Sequence, residues 1–170
     1  MLIKNSTQND VPKIFELYRI ATAYMKSKNQ VAWPEFSPEL IDTEIKEKRQ
    51  WKILIEDQIA CIWATTLSDE EIWGEANKTP AVYIHRIATN PNFRGRNLVK
   101  KIVDWADDYA RKNNLKYIRM DTVGLNEGLI NHYQKFGFDF LGAEKLKNTN
   151  GLPDHYNEGK VCLFQREVKG

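Results

Sequence analysis

The sequence predicts one α/β domain, and three observations lead to that expectation. Segments of period two and period 3.6 alternate along the chain in the order β-α-α-β-β-β-α-β-α-β-β, with a parallel β-α-β unit between residues 81 and 123. At 170 residues the chain has the size of one domain and enough length to bury a sizeable core. No internal repeat, low-complexity tract or long linker divides it, so residues 1–170 read as one unit.

Leu2 to Asn5 reads as a short first strand. Thr7, three residues before Asp10, sets up a capping-box arrangement with Asp in place of Glu or Gln. Pro12 falls in the first helical turn, where its missing N–H is harmless. Ile14, Leu17, Tyr18, Ala21 and Met25 then recur at helical spacing, predicting a helix to about Lys28. Gln30 to Pro38, with two prolines and the aromatics Trp33 and Phe36, reads as a loop. A short helix from Pro38 to about Arg49 follows. Trp51–Glu56 and Gln58–Leu67 read as a strand pair turned at Asp57. Charged Ser68–Lys78 reads as a loop, with Ile72 and Trp73 available for partial packing.

Residues 81–89 form the strongest strand signal, ended by Asn90-Pro91-Asn92. From Leu98, the apolar Val99, Ile102, Val103, Trp105, Ala106, Tyr109 and Ala110 fall on one helical face. Lys100, Lys101, Asp104, Asp107, Asp108 and Arg111 fall on the other. Lys116–Val123 is a further strand. Asn126 caps a helix with the stripe Leu129, Ile130, Tyr133 and Phe136, and Gly137 stands where a left-handed C-terminal residue is wanted. Phe138–Ala143 and Lys160–Val168 supply the last strands.

Bulk composition excludes several classes. Apolar residues make up 42% and charged residues 28%, which argues against disorder. A net charge of +2 is too small to imply nucleic-acid or membrane binding by itself. The N-terminus lacks the apolar core of a signal peptide, and no stretch approaches the roughly 18 apolar residues that span a bilayer. Cys61 and Cys162 each lie inside an apolar strand, which fits buried thiols in a reducing compartment, hence the cytoplasm.

The chemistry concentrates at Arg94-Gly95-Arg96-Asn97-Leu98-Val99. A strand ends, a glycine-containing turn follows, and an amphipathic helix opens at once. The N–H groups of the first turn and the helix dipole favour an anion there. Gly95 permits close backbone approach, and two guanidinium groups add charge, so a diphosphate is the natural guest. The plainer alternative is a turn with two solvated arginines. The segment is neither a Walker A loop nor a Gly-x-Gly-x-x-Gly fingerprint, which sets aside nucleotide hydrolysis and hydride transfer.

The run Ile87-Ala-Thr-Asn-Pro-Asn-Phe-Arg-Gly-Arg-Asn-Leu-Val99 resembles the acetyl-CoA pyrophosphate loop of the GCN5-related N-acetyltransferase (GNAT) superfamily. Asn126, then Tyr133, then Gly137-Phe138 resembles the family's second signature, in the correct order. The likeness implies a mixed, mostly antiparallel sheet of six to seven strands with a splayed parallel central pair and helices on both faces. It implies acetyl-CoA in that V-shaped gap, with Ile87, Ala88, Thr89, Arg94, Gly95, Arg96, Asn97, Leu98, Val99 and Asn126 as its contacts. Asn97 and Val99 depart from the family's glycine and glycine or alanine, adding bulk near the diphosphate.

Tyr133, on the buried stripe of its helix, reads by default as core packing, and the same resemblance makes it the general acid that protonates the leaving thiolate. His85 is the candidate base, its ordinary pKa of about 6.5 suiting work near neutrality. Period-two alternation places Tyr83, His85 and Ile87 on one face of their strand and Ile84, Arg86 and Ala88 on the other. His132 and His155 read as surface residues. No Cys/His/Asp cluster at ligand spacing is visible, so no metal is expected.

Trp33 and Phe36 read first as partly buried packing, whereas the resemblance sets their loop over the acceptor pocket. Arg94, Arg96, Lys100 and Lys101 share their exposed face with Asp104, Asp107 and Asp108, against a nucleic-acid patch. The expected reaction is direct attack of a small-molecule or peptide amine on acetyl-CoA. No acyl-enzyme is expected, since neither cysteine is near the motif in sequence. The rival is a non-catalytic acyl-CoA-binding or sensing domain. Acceptor identity and oligomeric state, a homodimer included, stay open.

Overall fold

The computed structural model describes residues 1–169. Its strands are β1 (Leu2–Asn5), β2 (Gln50–Ile55), β3 (Gln58–Thr66), β4 (Ala81–Thr89), β5 (Tyr117–Val123), β6 (Asp139–Glu144) and β7 (Val161–Glu167). They form one sheet in the order β1-β2-β3-β4-β5-β7-β6. All neighbours are antiparallel except β4 and β5, which the crossover through residues 90–116 makes parallel. Between β2 and β3, Glu56 and Asp57 both adopt positive φ (50° and 60°), as the tightest hairpin turns require.

Helices α1 (Val11–Ser27) and α2 (Pro38–Lys46) cover one face. Ile14, Leu17, Tyr18 and Ile41 pack there with Phe36 on Ile62 and Ala88. The start of α1 follows the capping box, with the Asp10 carboxylate accepting the Thr7 N–H at 2.7 Å. Ser37 caps α2 through the Leu40 N–H at 3.2 Å. Helices α4 (Leu98–Lys112) and α5 (Glu127–Lys135) cover the other face. Ile102, Val103, Ala106 and Tyr133 join Ile53, Trp63, Val82, Ile84 and Phe164 in the main core there. Burial of each such aliphatic or aromatic side chain is worth about 1.5–3 kcal/mol.

Three expectations need correction. The helix predicted to about Arg49 stops at Lys46, because Lys48 turns the chain with φ 56°. The loop predicted at 68–78 contains a one-turn helix, α3 (Glu70–Trp73), and a 3₁₀ turn, Gly74–Lys78. One turn is too short to show periodicity, yet it buries Ile72 and Trp73 against Tyr83 and Tyr156. Asp107, assigned to solvent, is buried, and its Oδ2 lies 2.7 Å from Arg166 Nη2 on β7.

A fourth correction matters most for function. Ile62 pairs with Ala88 but Ala64 pairs with His85, so β4 carries one extra residue across this step. Arg86, at φ 51°, lies in this bulge. The alternation therefore flips. Ile84 and Ile87 both face the main core. Tyr83 and Ala88 pack in the opposite clusters, and Arg86 reaches Glu44 and Tyr18 beside them. His85 and Ile87 thus do not share a face. Just before the bulge, the parallel pairing ends at Ile84↔Met120, although β4 continues to Thr89 and β5 to Val123. The two strands splay from that point.

The Asp107–Arg166 pair gives a test of the packing between α4 and the sheet. Its side chains are only 11% and 15% exposed. Asp107→Ala leaves Arg166 without its partner, so urea unfolding should show a loss of about 3 kcal/mol. Asp108→Ala breaks an exposed pair with Arg111 and should cost no more than about 0.5 kcal/mol. Equal, small losses would contradict this packing.

Candidate active site

At the splayed end, β4 leads through Asn90 into a 3₁₀ turn, Pro91–Phe93, and then into α4. Gly95 has φ 79° and Asn97 sits in the left-handed region at φ 55°, ψ 36°. Asparagine is the side-chain-bearing residue that best tolerates this conformation. The Asn97 side chain makes no capping hydrogen bond, so the first-turn N–H groups of α4 keep their capacity for an anion. Arg94, Gly95, Arg96 and Asn97 are exposed. Leu98 is buried and Val99 packs on the main core, so the bulk of Val99 points away from this turn.

Beyond the turn, a cavity of about 1210 Å³ lies along the gap between β4 and β5, reached by Trp33, Phe36, His85, Asp121, Asn126 and Tyr133. Asn126 Oδ1 caps α5 by accepting the Leu129 N–H at 3.1 Å. Tyr133 is 8% exposed, and burial pushes its phenol up to about 12, helped by Cys61 and Asp121. It remains a proton donor throughout the physiological range. Cys61 lies opposite Thr89 across β3 and β4, so one thiol is near the motif in space after all. Burial raises that thiol to about 11, which leaves it a poor nucleophile.

His85 stands between two carboxylates. Its Nε2 is 3.4 Å from Asp69 Oδ2 and its Nδ1 is 3.7 Å from Asp121 Oδ1. Asp121 Oδ2 accepts a hydrogen bond from the Tyr156 hydroxyl at 2.6 Å. Asp69 is placed by a chain of contacts starting from Arg119, which is buried in the sheet. Arg119 Nη1 donates to Tyr83 Oη at 2.9 Å, the Tyr83 hydroxyl donates to Asn77 Oδ1 at 2.7 Å, and that oxygen accepts the Asp69 N–H at 2.8 Å.

Burial, then Asp121 and Glu71, lifts Asp69 to about 8. Burial lifts Asp121 to about 6, opposed by the Tyr156 hydrogen bond. Burial, then Arg86 and Arg49, lowers His85 to about 3. Burial thus disfavours charge on all three groups, most strongly a second negative charge on the Asp69–Asp121 pair.

His85 and Tyr133, both named from the sequence, line the cavity together with Asp69, Asp121 and Tyr156, which sequence reasoning missed. Asp121, an acid inside an apolar strand, was a visible signal. Asp69 and Tyr156 come from irregular segments and were not. His155, expected at the surface, is buried beside Tyr156, and burial lowers it to about 4. Asp69, His85 and Asp121 each present one donor atom within 4.8 Å of the others, a set able to close on a divalent cation. The sequence-spacing argument against a metal therefore does not hold, because three separated segments converge.

The site thus joins a sheet splayed at its one parallel pair to an anion-suited helix start at the opening. The profile of the Acetyltransferase (GNAT) family matches residues 14–138. The chain belongs to that family.

The Bacillus subtilis N-acetyltransferase YesJ, itself uncharacterized, is 29% identical over 76 residues, 45% of this chain and 42% of that one. The chain spans less than two thirds of the length of the curated relatives it matches. A GNAT-family acetyltransferase structure from Streptococcus agalactiae superposes with TM-score 0.77 at 18% identity, covering 99% of this chain and 96% of that one. The Salmonella typhimurium protein yncA, solved with acetyl-CoA, superposes with TM-score 0.70 at 12% identity, covering 100% and 95%. At such identities the structures share the fold.

The raised pKa of Asp69 has a thermodynamic consequence. The folded chain keeps a proton that the unfolded chain loses above about 3.8, so the contribution to stability is complete below that pH. It is lost as pH rises toward 8. Asp69→Asn removes the ionisation, so its melting temperature relative to wild type should climb between pH 4 and pH 8 and then level off. A pH-independent difference would contradict the assigned burial.

Proposed function

We propose that this chain transfers an acetyl group from acetyl-CoA to a primary amine by direct attack within a ternary complex. The observation that supports it most is the end of β4–β5 pairing at Ile84↔Met120, directly ahead of the anion-suited turn at 94–99. The β4 edge beyond Ile84 then faces the gap without a strand partner on that side. In the proposed complex, the diphosphate lies on the first turn of α4 with Arg94, Gly95, Arg96, Asn97, Leu98 and Val99. The pantetheine arm runs along Ile87, Ala88 and Thr89 toward Asn126. The likeness to a fold partner solved with acetyl-CoA favours this cofactor.

The amine nitrogen attacks the thioester carbon, forming the C–N bond while the C–S bond breaks. Backbone N–H groups of β4 polarise the carbonyl oxygen. His85 takes the amine proton, and Tyr133 gives its phenolic proton to the departing sulfur, which leaves as free thiol. Asp69 and Asp121 flank the imidazole and, as it takes the proton, offset the burial and the two arginines that otherwise hold its pKa down at about 3. Holding both reactants in one cavity supplies much of the acceleration. The proton donor and the flanked imidazole favour an enzyme over an acyl-CoA sensor, for which neither is needed. Among the described residues no helix is long and apolar enough to cross a membrane. Two free, buried thiols suit the cytoplasm as the place of work.

Free-thiol release from acetyl-CoA with a panel of amines tests the reading directly. Tyr133→Phe keeps the ring and removes the donor, so turnover should fall by about 10²–10⁴-fold with cofactor affinity unchanged. Replacing Arg94 and Arg96 by Ala should weaken calorimetric coenzyme A binding by about 1.5–3 kcal/mol for each lost charge-assisted contact. A wild-type rate in the first variant would remove Tyr133 from the mechanism, and unchanged affinity in the second would remove the turn from the cofactor site.

A further inference from the structure

We propose that Asp69 and Asp121 form an ammonium-binding subsite, which restricts the acceptor to primary amines with no carboxylate on the carbon bearing the nitrogen. This rests on the acetyltransferase reading of the same cavity and names its substrate class.

Two observations carry it. Among the described residues Asp69 Oδ2 and Asp121 Oδ1 are both buried without a hydrogen-bond partner, although His85 faces them from 3.4 and 3.7 Å, and their side chains are 10% and 2% exposed. Both residues line the cavity. Buried carboxylate oxygens with no donor are costly to hold, and an incoming ammonium offers the hydrogen-bond donors and the positive charge they lack. An opposite charge at contact distance also favours the ionised form of both acids, offsetting the effect of burial.

The second observation is where the cavity's cations are committed. Its lysines and arginines are Lys28, Arg49 and Arg86. Arg86 pairs with buried Glu44 and donates to the Tyr18 hydroxyl. Arg49 Nε is 2.6 Å from Glu47, and its Nη1 donates to the Thr65 carbonyl. Lys28 lies over the Tyr24 ring, 5.7 Å from its centre. Arg49 and Arg86 are thus already paired with carboxylates, and among the described residues no ion pair joins any of the three to Asp69 or Asp121. An α-amino acid would bring its carboxylate against the two acids that hold its ammonium. The matching amine without that carboxylate would not.

The test uses three matched sets with saturating acetyl-CoA: 2-phenylethylamine, phenylalanine and phenylalanine amide; 3-methylbutylamine, leucine and leucine amide; 1,5-diaminopentane, lysine and lysine amide. The amine should exceed the amino acid in kcat/KM by on the order of 100-fold. The amide, which keeps the bulk and loses the charge, should side with the amine. The lysine set reads the α-nitrogen, so its acetylated position is assigned by mass spectrometry.

Calorimetry of 2-phenylethylamine on the coenzyme A-loaded protein is the parallel readout. Asp121→Asn should weaken it at least tenfold without changing coenzyme A affinity. Amino acids turned over or bound as well as amines would overturn the subsite, as would amides that behave like the acids, or amines that fail to bind at all. Amines that bind as predicted but release no thiol would keep the subsite and remove acetyl transfer.

Discussion

The point where β4 and β5 cease to pair governs the site. Four residue pairs, from Ala81↔Tyr117 to Ile84↔Met120, hold the strands together, and then the ladder ends while both chains continue. A bulge adds twist and disrupts a ladder, and the one on β4 sits immediately past the last pair. Arg86 keeps it in place. Its guanidinium pairs with Glu44 of α2, which is 3% exposed and also accepts from Gln50 Nε2 at 3.3 Å. Removing either partner would leave a buried charge alone, so the bulge is held by the packing of α2 against the sheet. The separation of the strands then supplies a lined gap and free backbone groups along one edge.

The same bulge arranges the chemistry. It leaves His85 on the face that meets Asp69 and Asp121, and it turns Ile87 into the main core. Arg119 contributes from beneath. Buried at 2% exposure, it is held by Gln165, Ala76 and Tyr83 rather than by a carboxylate. Its guanidinium also stacks 4.8 Å from the centre of Trp73. That network fixes the segment after β3 and, with it, Asp69. The acidic character of the cavity floor therefore depends on residues that never face the cavity.

Much of this was legible in the sequence. Element order followed from periodicity, and the left-handed positions at Asn97 and Gly137 (φ 55° and 81°) fall where the turn and cap signals put them. What escaped was what local pattern cannot encode. A bulge is one extra residue whose effect is felt only across a strand pair, so strict alternation misplaced Ile87, Arg86 and Ala88. Asp107 sits at the edge of the apolar stripe of α4, and only Arg166, 59 residues further along, decides that it is buried. Asp69 and Tyr156 lie in irregular segments whose convergence on His85 is purely tertiary. Cys61 was judged by distance along the chain, whereas antiparallel pairing puts it opposite Thr89.

The central claim is that the gap opened by β4 and β5 receives the extended arm and diphosphate of an acyl-CoA. Amide hydrogen exchange with and without coenzyme A measures this residue by residue, since unpaired N–H groups that gain an acceptor exchange more slowly. The account predicts that added protection concentrates on residues 86–89 of β4 and on 94–100 at the start of α4, with little change in β1, β2 and β6. Protection spread evenly over the sheet, or confined to the far edge, would contradict it.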